Sequence, residues 1–93
     1  MKRTIRVLVE GVVQGVGYRA FVEDEALARG IAGWVRNRRS GQVEAVFSAE
    51  SDVVAAMIEA CRRGPRQARV ERVDVTEMPA EEGLAGFRIL PTH

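Results

Sequence analysis

Residues Thr4 to Glu10 (TIRVLVE) alternate, with Ile5, Val7 and Val9 projecting one way and Thr4, Arg6, Leu8 and Glu10 the other. A period of two over this length predicts a strand with one buried face. Tyr18 to Arg29 (YRAFVEDEALAR) holds good helix formers and neither Gly nor Pro, and Gly30 follows as a stop. Its apolar stripe is untidy, because Glu23, Asp24, Glu25 and Arg29 spread around the wheel. That helix is predicted from propensity and punctuation. Ala32–Arg38 and Gln42–Ser48 flank Arg39-Ser40-Gly41, a short glycine-containing gap that predicts a hairpin. The second helix is plainer. Val53, Val54, Met57, Ile58, Ala60 and Cys61 cluster on one side, with Glu59, Arg62 and Arg63 opposite. Ser51 is its expected N-cap, Arg62 and Arg63 suit its C-terminal dipole, and Gly64-Pro65 ends it. Arg69 to Glu77 (RVERVDVTE) predicts another strand, Pro79 to Ala85 a loop, and Gly86 to Leu90 a short last strand.

Strand, helix, strand, strand, helix, strand is the split βαβ order of an α+β, ferredoxin-like sandwich: an antiparallel sheet carrying two helices on one face, here with a short extra strand. No repeat, linker or low-complexity segment interrupts it, so residues 1–93 are expected to form one domain. The composition, with 46% hydrophobic and 29% charged residues, is that of an ordinary globular chain. A domain of this size is expected to be a monomer. The formal net charge of +1 supplies no global field for nucleic acid or anionic lipid. Cys61 is the only cysteine, which rules out an internal disulfide or a multi-cysteine metal site and fits a reducing cytoplasm. No apolar run approaches membrane-spanning length, and the N-terminus lacks the apolar core of a signal peptide.

Chemistry is concentrated at Val12-Val13-Gln14-Gly15-Val16-Gly17-Tyr18-Arg19-Ala20-Phe21, between the first strand and the first helix. Gly15 and Gly17 permit a turn whose successive N–H groups point into one concavity, a geometry that favours an anion. A helix beginning near Tyr18 adds free N–H groups and a positive dipole end, and Arg19 adds a planar cation able to hold two phosphate oxygens. By spacing alone such a turn also serves simply to reverse the chain, and the Walker pattern is absent. In the second strand Asn37 shares a face with Val35 and Gly33. Its amide can donate and accept at once, as a residue that aims a water must. A surface Asn beside a turn is the plainer reading.

Gly11-x-Val13-Gln14-Gly15-Val16-Gly17-Tyr18-Arg19, followed by Gly30-x-x-Gly33-Trp34-Val35-x-Asn37-x-x-x-Gly41-x-Val43-Glu44, resembles the acylphosphatase family. The likeness runs along essentially the whole chain, including Arg63-Gly64-Pro65 and Gly86-Phe87. It implies a ferredoxin-like fold and hydrolysis of a carboxyl–phosphate anhydride to a carboxylate and phosphate. It implies that Arg19, with backbone amides of Gln14, Gly15, Val16, Gly17 and Tyr18, binds the phosphate, and that Asn37 positions the attacking water. Ser40 stands where the family usually has Asp, in a turn that Ser also suits. Tyr18 stands where Phe is frequent.

The remaining inventory holds few catalysts. His93 is the only histidine and lies at the end of the chain, where fraying is expected. Cys61 sits on an apolar helix face as a core thiol. Gln67 occupies the position where a Cys-x5-Arg phosphatase would need Arg, and no cluster of metal ligands is visible, so neither metal nor cofactor is expected. An acyl phosphate asks for little, because its carboxylate leaving group has a conjugate-acid pKa of roughly 4 and needs no general acid. Phosphoryl transfer through a loose transition state depends mainly on positioning and electrostatics. The substrate's own phosphate is the expected proton acceptor. Trp34 reads as strand packing, and Glu81 and Glu82 as solvated charges. Arg36, Arg38 and Arg39 read as a solvated basic patch that could steer an anion. A nucleic-acid role is disfavoured, since aromatics are 5% of residues and interleaved RNP1 aromatics are missing. The alternative is a non-catalytic phosphate-binding or accessory module, like the related N-terminal domain of the hydrogenase-maturation carbamoyltransferase. Ala20 departs from the proline frequent in that group, and a binder would need the cradle but not Asn37.

Overall fold

The computed structural model describes residues 1–93. Its elements run β1 (Lys2–Val12), α1 (Tyr18–Ala28), β2 (Ala32–Asn37), β3 (Val43–Glu50), α2 (Ser51–Arg63), β4 (Arg69–Met78) and β5 (Phe87–Ile89). They form one sheet in the order β4-β1-β3-β2-β5. The expected ferredoxin-like α+β sandwich is observed. The first four strands pair antiparallel, and β5 pairs parallel with β2, which makes the five-stranded sheet mixed rather than purely antiparallel.

The alternation in β1 is realised as read. Ile5, Val7 and Val9 are fully buried and lie opposite Phe47, Ala45 and Val43 of β3, which face the same way. Val22 and Ala26 of α1 and Val54, Met57 and Cys61 of α2 join this face in one core of 17 residues. Burial of each large aliphatic side chain there contributes roughly 1.5–3 kcal/mol. Phe87 closes the β5 end by stacking on Phe47 at a centroid distance of 5.8 Å. Gly33 has no alternative in β2, since a Cβ there would lie 1.8 Å from the Val46 carbonyl oxygen at a φ of +149°.

One helix end differs from expectation. Ser51 is the first residue of α2, not its N-cap; Glu50 holds that position with no side-chain cap. The Ser51 hydroxyl instead donates to the Met1 carbonyl at 2.8 Å, which ties the start of the chain to α2. At the other end of α2, the Cys61 carbonyl would seek the N–H four residues on, but residue 65 is proline and has none. The buried Tyr18 hydroxyl donates to it at 2.8 Å. The Tyr hydroxyl, which a Phe would lack, thereby joins α1 to α2.

The other sheet face is polar and ordered. Glu44, 3% exposed, accepts hydrogen bonds from Arg6 of β1, Arg36 of β2 and Arg38 of the hairpin. Arg36 also lies over the Trp34 ring, 4.7 Å from its centroid. The predicted basic patch is therefore largely committed: Arg36 and Arg38 are held by Glu44, and only Arg39 is the solvated charge expected. Ser40 fills its turn role, its hydroxyl donating to Gln42 Oε1 and accepting from the Gln42 N–H.

Candidate active site

Topology gathers the candidate residues at one end of the sheet. β1 is antiparallel to β3 and β3 to β2, so β1 and β2 point the same way; β5, parallel to β2, joins them. The C-terminal ends of these three strands bring together the loop after β1, Asn37 at the end of β2, and Ile89 at the end of β5. A register shift at Glu10/Gly11 interrupts the β1–β4 pairing, which resumes with Gly11 opposite Val70 and Val12 opposite Arg69 before the loop.

The loop turns through Gly15 (φ 75°) and Gly17 (φ 77°), and Gly17 is the left-handed N-cap of α1. Only glycine takes such angles without strain, which explains its place at both positions. The first α1 hydrogen bond runs from the Phe21 N–H to the Gly17 carbonyl. From Gln14 to Ala20 no backbone N–H donates to a protein acceptor. Successive unsatisfied N–H groups around a left-handed turn at a helix N-terminus form an anion cradle. They open onto a pocket of about 230 Å³ lined by Val13, Gln14, Gly15, Gly17, Tyr18, Arg19, Ala20 and Ile89.

Arg19 is the only charged residue of that lining and forms none of the molecule's ion pairs. Its guanidinium is left for a ligand, whereas Arg6, Arg36 and Arg38 are taken by Glu44. Val16 packs against the core rather than lining the pocket, and it reaches the cradle by its backbone alone. Tyr18 likewise offers only its N–H, since its ring is buried and its hydroxyl is engaged with Cys61. Burial pushes that phenol above its ordinary range. Burial also pushes the Cys61 thiol up to about 12, which leaves it a core thiol and not a nucleophile.

Asn37 stands outside the pocket lining, at the adjoining strand end. Its Oδ1 is buried and has no hydrogen-bond partner, the only such side-chain atom in the molecule. A buried acceptor left unmade costs about 1–3 kcal/mol, so one that persists calls for a functional explanation. Gln14 links it to the cradle: its side-chain Nε2 donates to the Arg38 carbonyl at 2.8 Å and the Gln42 carbonyl at 2.9 Å, clasping the hairpin next to Asn37. Sequence reasoning placed Gln14 in the loop but did not find this clasp.

The chain end also differs from expectation. The His93 N–H donates to the Asn37 carbonyl at 3.0 Å, the Arg39 N–H donates to the His93 carbonyl at 3.2 Å, and the Leu90 N–H donates to the Val35 carbonyl at 2.9 Å. Residues 90–93 thus continue along the edge of β2, and His93 is anchored by its backbone rather than frayed. Only the parallel pairing of β5 reveals this.

Residues 5–89 match the model of the acylphosphatase family. The chain is 52% identical over 92 residues to an acylphosphatase of Azorhizobium caulinodans, covering 99% of each. It is 49% identical over 98 residues to an acylphosphatase of Bradyrhizobium diazoefficiens, again covering 99% of each. The crystal structure of the Bacillus subtilis acylphosphatase superposes with a TM-score of 0.91 at 39% identity, over 97% of this chain and 99% of that one.

Proposed function

Because the chain belongs to the acylphosphatase family, we propose that Arg19 and the backbone amides of residues 14–19 grip the phosphoryl group while Asn37 positions the attacking water. The activity itself is hydrolysis of the carboxyl–phosphate anhydride of a small acyl phosphate. The cradle and the unpaired Arg19 take the phosphoryl oxygens and stabilise the charge they carry in the transition state. The water is held by Asn37, whose Oδ1 accepts a hydrogen bond from it and so turns the water's lone pair toward phosphorus. The carboxylate departs unprotonated. No carboxylate, histidine or cysteine lines the pocket, so the phosphoryl oxygens themselves receive the proton and no metal takes part. We also infer that residues 1–93 act as one domain, as a monomer, in the cytoplasm.

The buried, unpartnered Asn37 Oδ1 carries this reading, because a module that only bound phosphate would need the cradle without it. Phosphate release from benzoyl phosphate, with p-nitrophenyl phosphate as control, tests it. Wild type is expected to cleave the anhydride and spare the ester, with a rate indifferent to EDTA. Arg19→Ala should lose phosphate affinity and turnover together. Asn37→Ala should keep inhibition by inorganic phosphate and lose turnover by about 100-fold. Near wild-type turnover in Asn37→Ala would remove it from the water-holding role.

A further inference from the structure

The Asn37 backbone carbonyl finds its partner outside the regular sheet. In the β2–β3 hairpin the next residue, Arg38, donates its N–H to the Gln42 carbonyl at 2.8 Å. Successive residues of a strand turn their backbone groups to opposite sides, so Asn37 presents its own away from β3, toward the outer edge of β2. The regular β5 pairing on that edge stops at Val35 opposite Ile89, two residues short of Asn37. Residues 90–93 fill the gap. The Leu90 N–H donates to the Val35 carbonyl at 2.9 Å, the His93 N–H to the Asn37 carbonyl at 3.0 Å, and the Arg39 N–H to the His93 carbonyl at 3.2 Å. The last two bonds form one parallel bridge, with His93 seated beside Arg38. From Ile89 to His93 the chain advances four residues while β2 advances three, from Val35 to Arg38. Pro91, with no N–H to offer, lies in the resulting bulge.

We infer that residues 90–93 are a positioning clamp for Asn37, and that His93 serves the reaction through its backbone N–H alone. The inference rests on the water-holding reading of Asn37 above. A hydrogen bond to the Asn37 carbonyl fixes the peptide plane next to the side chain, and with it the direction of Oδ1. Nothing in the protein bonds to that buried Oδ1, so its aim depends on how firmly the backbone is held. Gln14 holds the inner side of this stretch through the Arg38 carbonyl, and His93 holds the outer side. Anchored on both sides, the end of β2 cannot rock and carry the amide off its target. The side chains of Pro91, Thr92 and His93 are exposed, which leaves the work to the main chain. Residue type at position 93 therefore matters in one respect: a proline there would remove the donor.

Steady-state kinetics of the full chain test this, with benzoyl phosphate as substrate and inorganic phosphate as inhibitor. His93→Pro removes the N–H and should lower kcat by about tenfold, the scale of a small misplacement of a reacting group. KM and phosphate inhibition should stay within about twofold, because the loop N–H groups and Arg19 are untouched. His93→Ala keeps the N–H and should restore the wild-type kcat. In the Asn37→Ala background His93→Pro should cost nothing more, since the clamp then has no water-holder to aim. Independently of any variant, the wild-type His93 amide should exchange with solvent deuterium at least about tenfold more slowly than a free-chain amide. Four results would each overturn the clamp and leave the water-holder in place: a folded His93→Pro with wild-type kcat, a His93→Ala as slow as His93→Pro, a loss of equal size in the Asn37→Ala background, or an unprotected His93 amide. Near wild-type turnover in Asn37→Ala alone would overturn the water-holding reading itself, and the clamp with it.

Discussion

Gln14 shows how one side chain can serve a site without facing it. Its backbone belongs to the glycine loop after β1, and its side-chain amide clasps the carbonyls of Arg38 and Gln42 beside Asn37. Each such hydrogen bond is worth about 0.5–1.5 kcal/mol, and together they hold the loop in register with Asn37. Gln14→Met keeps length and removes both donors. Its kcat should fall by about 10-fold to 100-fold, because small misplacements of reacting groups cost that much. Phosphate affinity should fall far less, since the loop N–H groups and Arg19 remain; phosphate inhibition measured beside kcat separates the two. Gly15 and Gly17 were legible as turn residues from residue type, and Arg19 and Asn37 were singled out as site candidates by the motifs shared with the acylphosphatase family. The clasp was not legible, because nothing local tells a Gln side chain which carbonyls it will meet.

At the scale of elements, Glu44 joins three pieces of the sheet. Burial pushes its carboxyl up, but the hydrogen bonds from Arg6, Arg36 and Arg38 together outweigh this and hold it at about 2, against an ordinary 4.5. A folded value below the unfolded one means stability that is fully present above pH 4.5 and lost as pH falls toward 2. The difference corresponds to about 3 kcal/mol. Glu44→Gln should therefore be destabilised by about 3 kcal/mol at pH 7. Urea titrations should show the gap to wild type closing between pH 4.5 and pH 2. The sequence marks Arg36 and Arg38 as a charged run, yet only strand pairing puts Arg36 opposite Glu44 and brings Arg6 across from β1. Ser51 teaches the same lesson: its residue type fits an N-cap, but the approach of Met1 claims its hydroxyl.

At the scale of the whole molecule, β5 completes both core and pocket. Phe87 covers Phe47, Ile89 lines the pocket, and residues 90–93 flank Asn37. Phe87→Ala should cost about 3–5 kcal/mol, as expected for emptying a buried aromatic site. Thermal unfolding should show that loss.

Local patterning determined the elements of this protein. Period-two alternation marked β1, a one-sided apolar cluster marked α2, and Gly30 and Gly64-Pro65 marked the helix ends, because each depends on residues close in the chain. The two glycines marked a left-handed turn before α1, since that conformation is a property of residue type, whereas the roles of Arg19 and Asn37 came only with the resemblance to the acylphosphatase family. The tertiary structure decided what depends on partners distant in sequence. It selected the parallel seat of β5, gave Glu44 its three arginines, sent the Gln14 amide to the hairpin, and left Ile89 open beside Arg19. Chain direction is the physical reason: only when β1, β2 and β5 all end at the same end of the sheet do the loop, the Asn37 amide and Ile89 become neighbours.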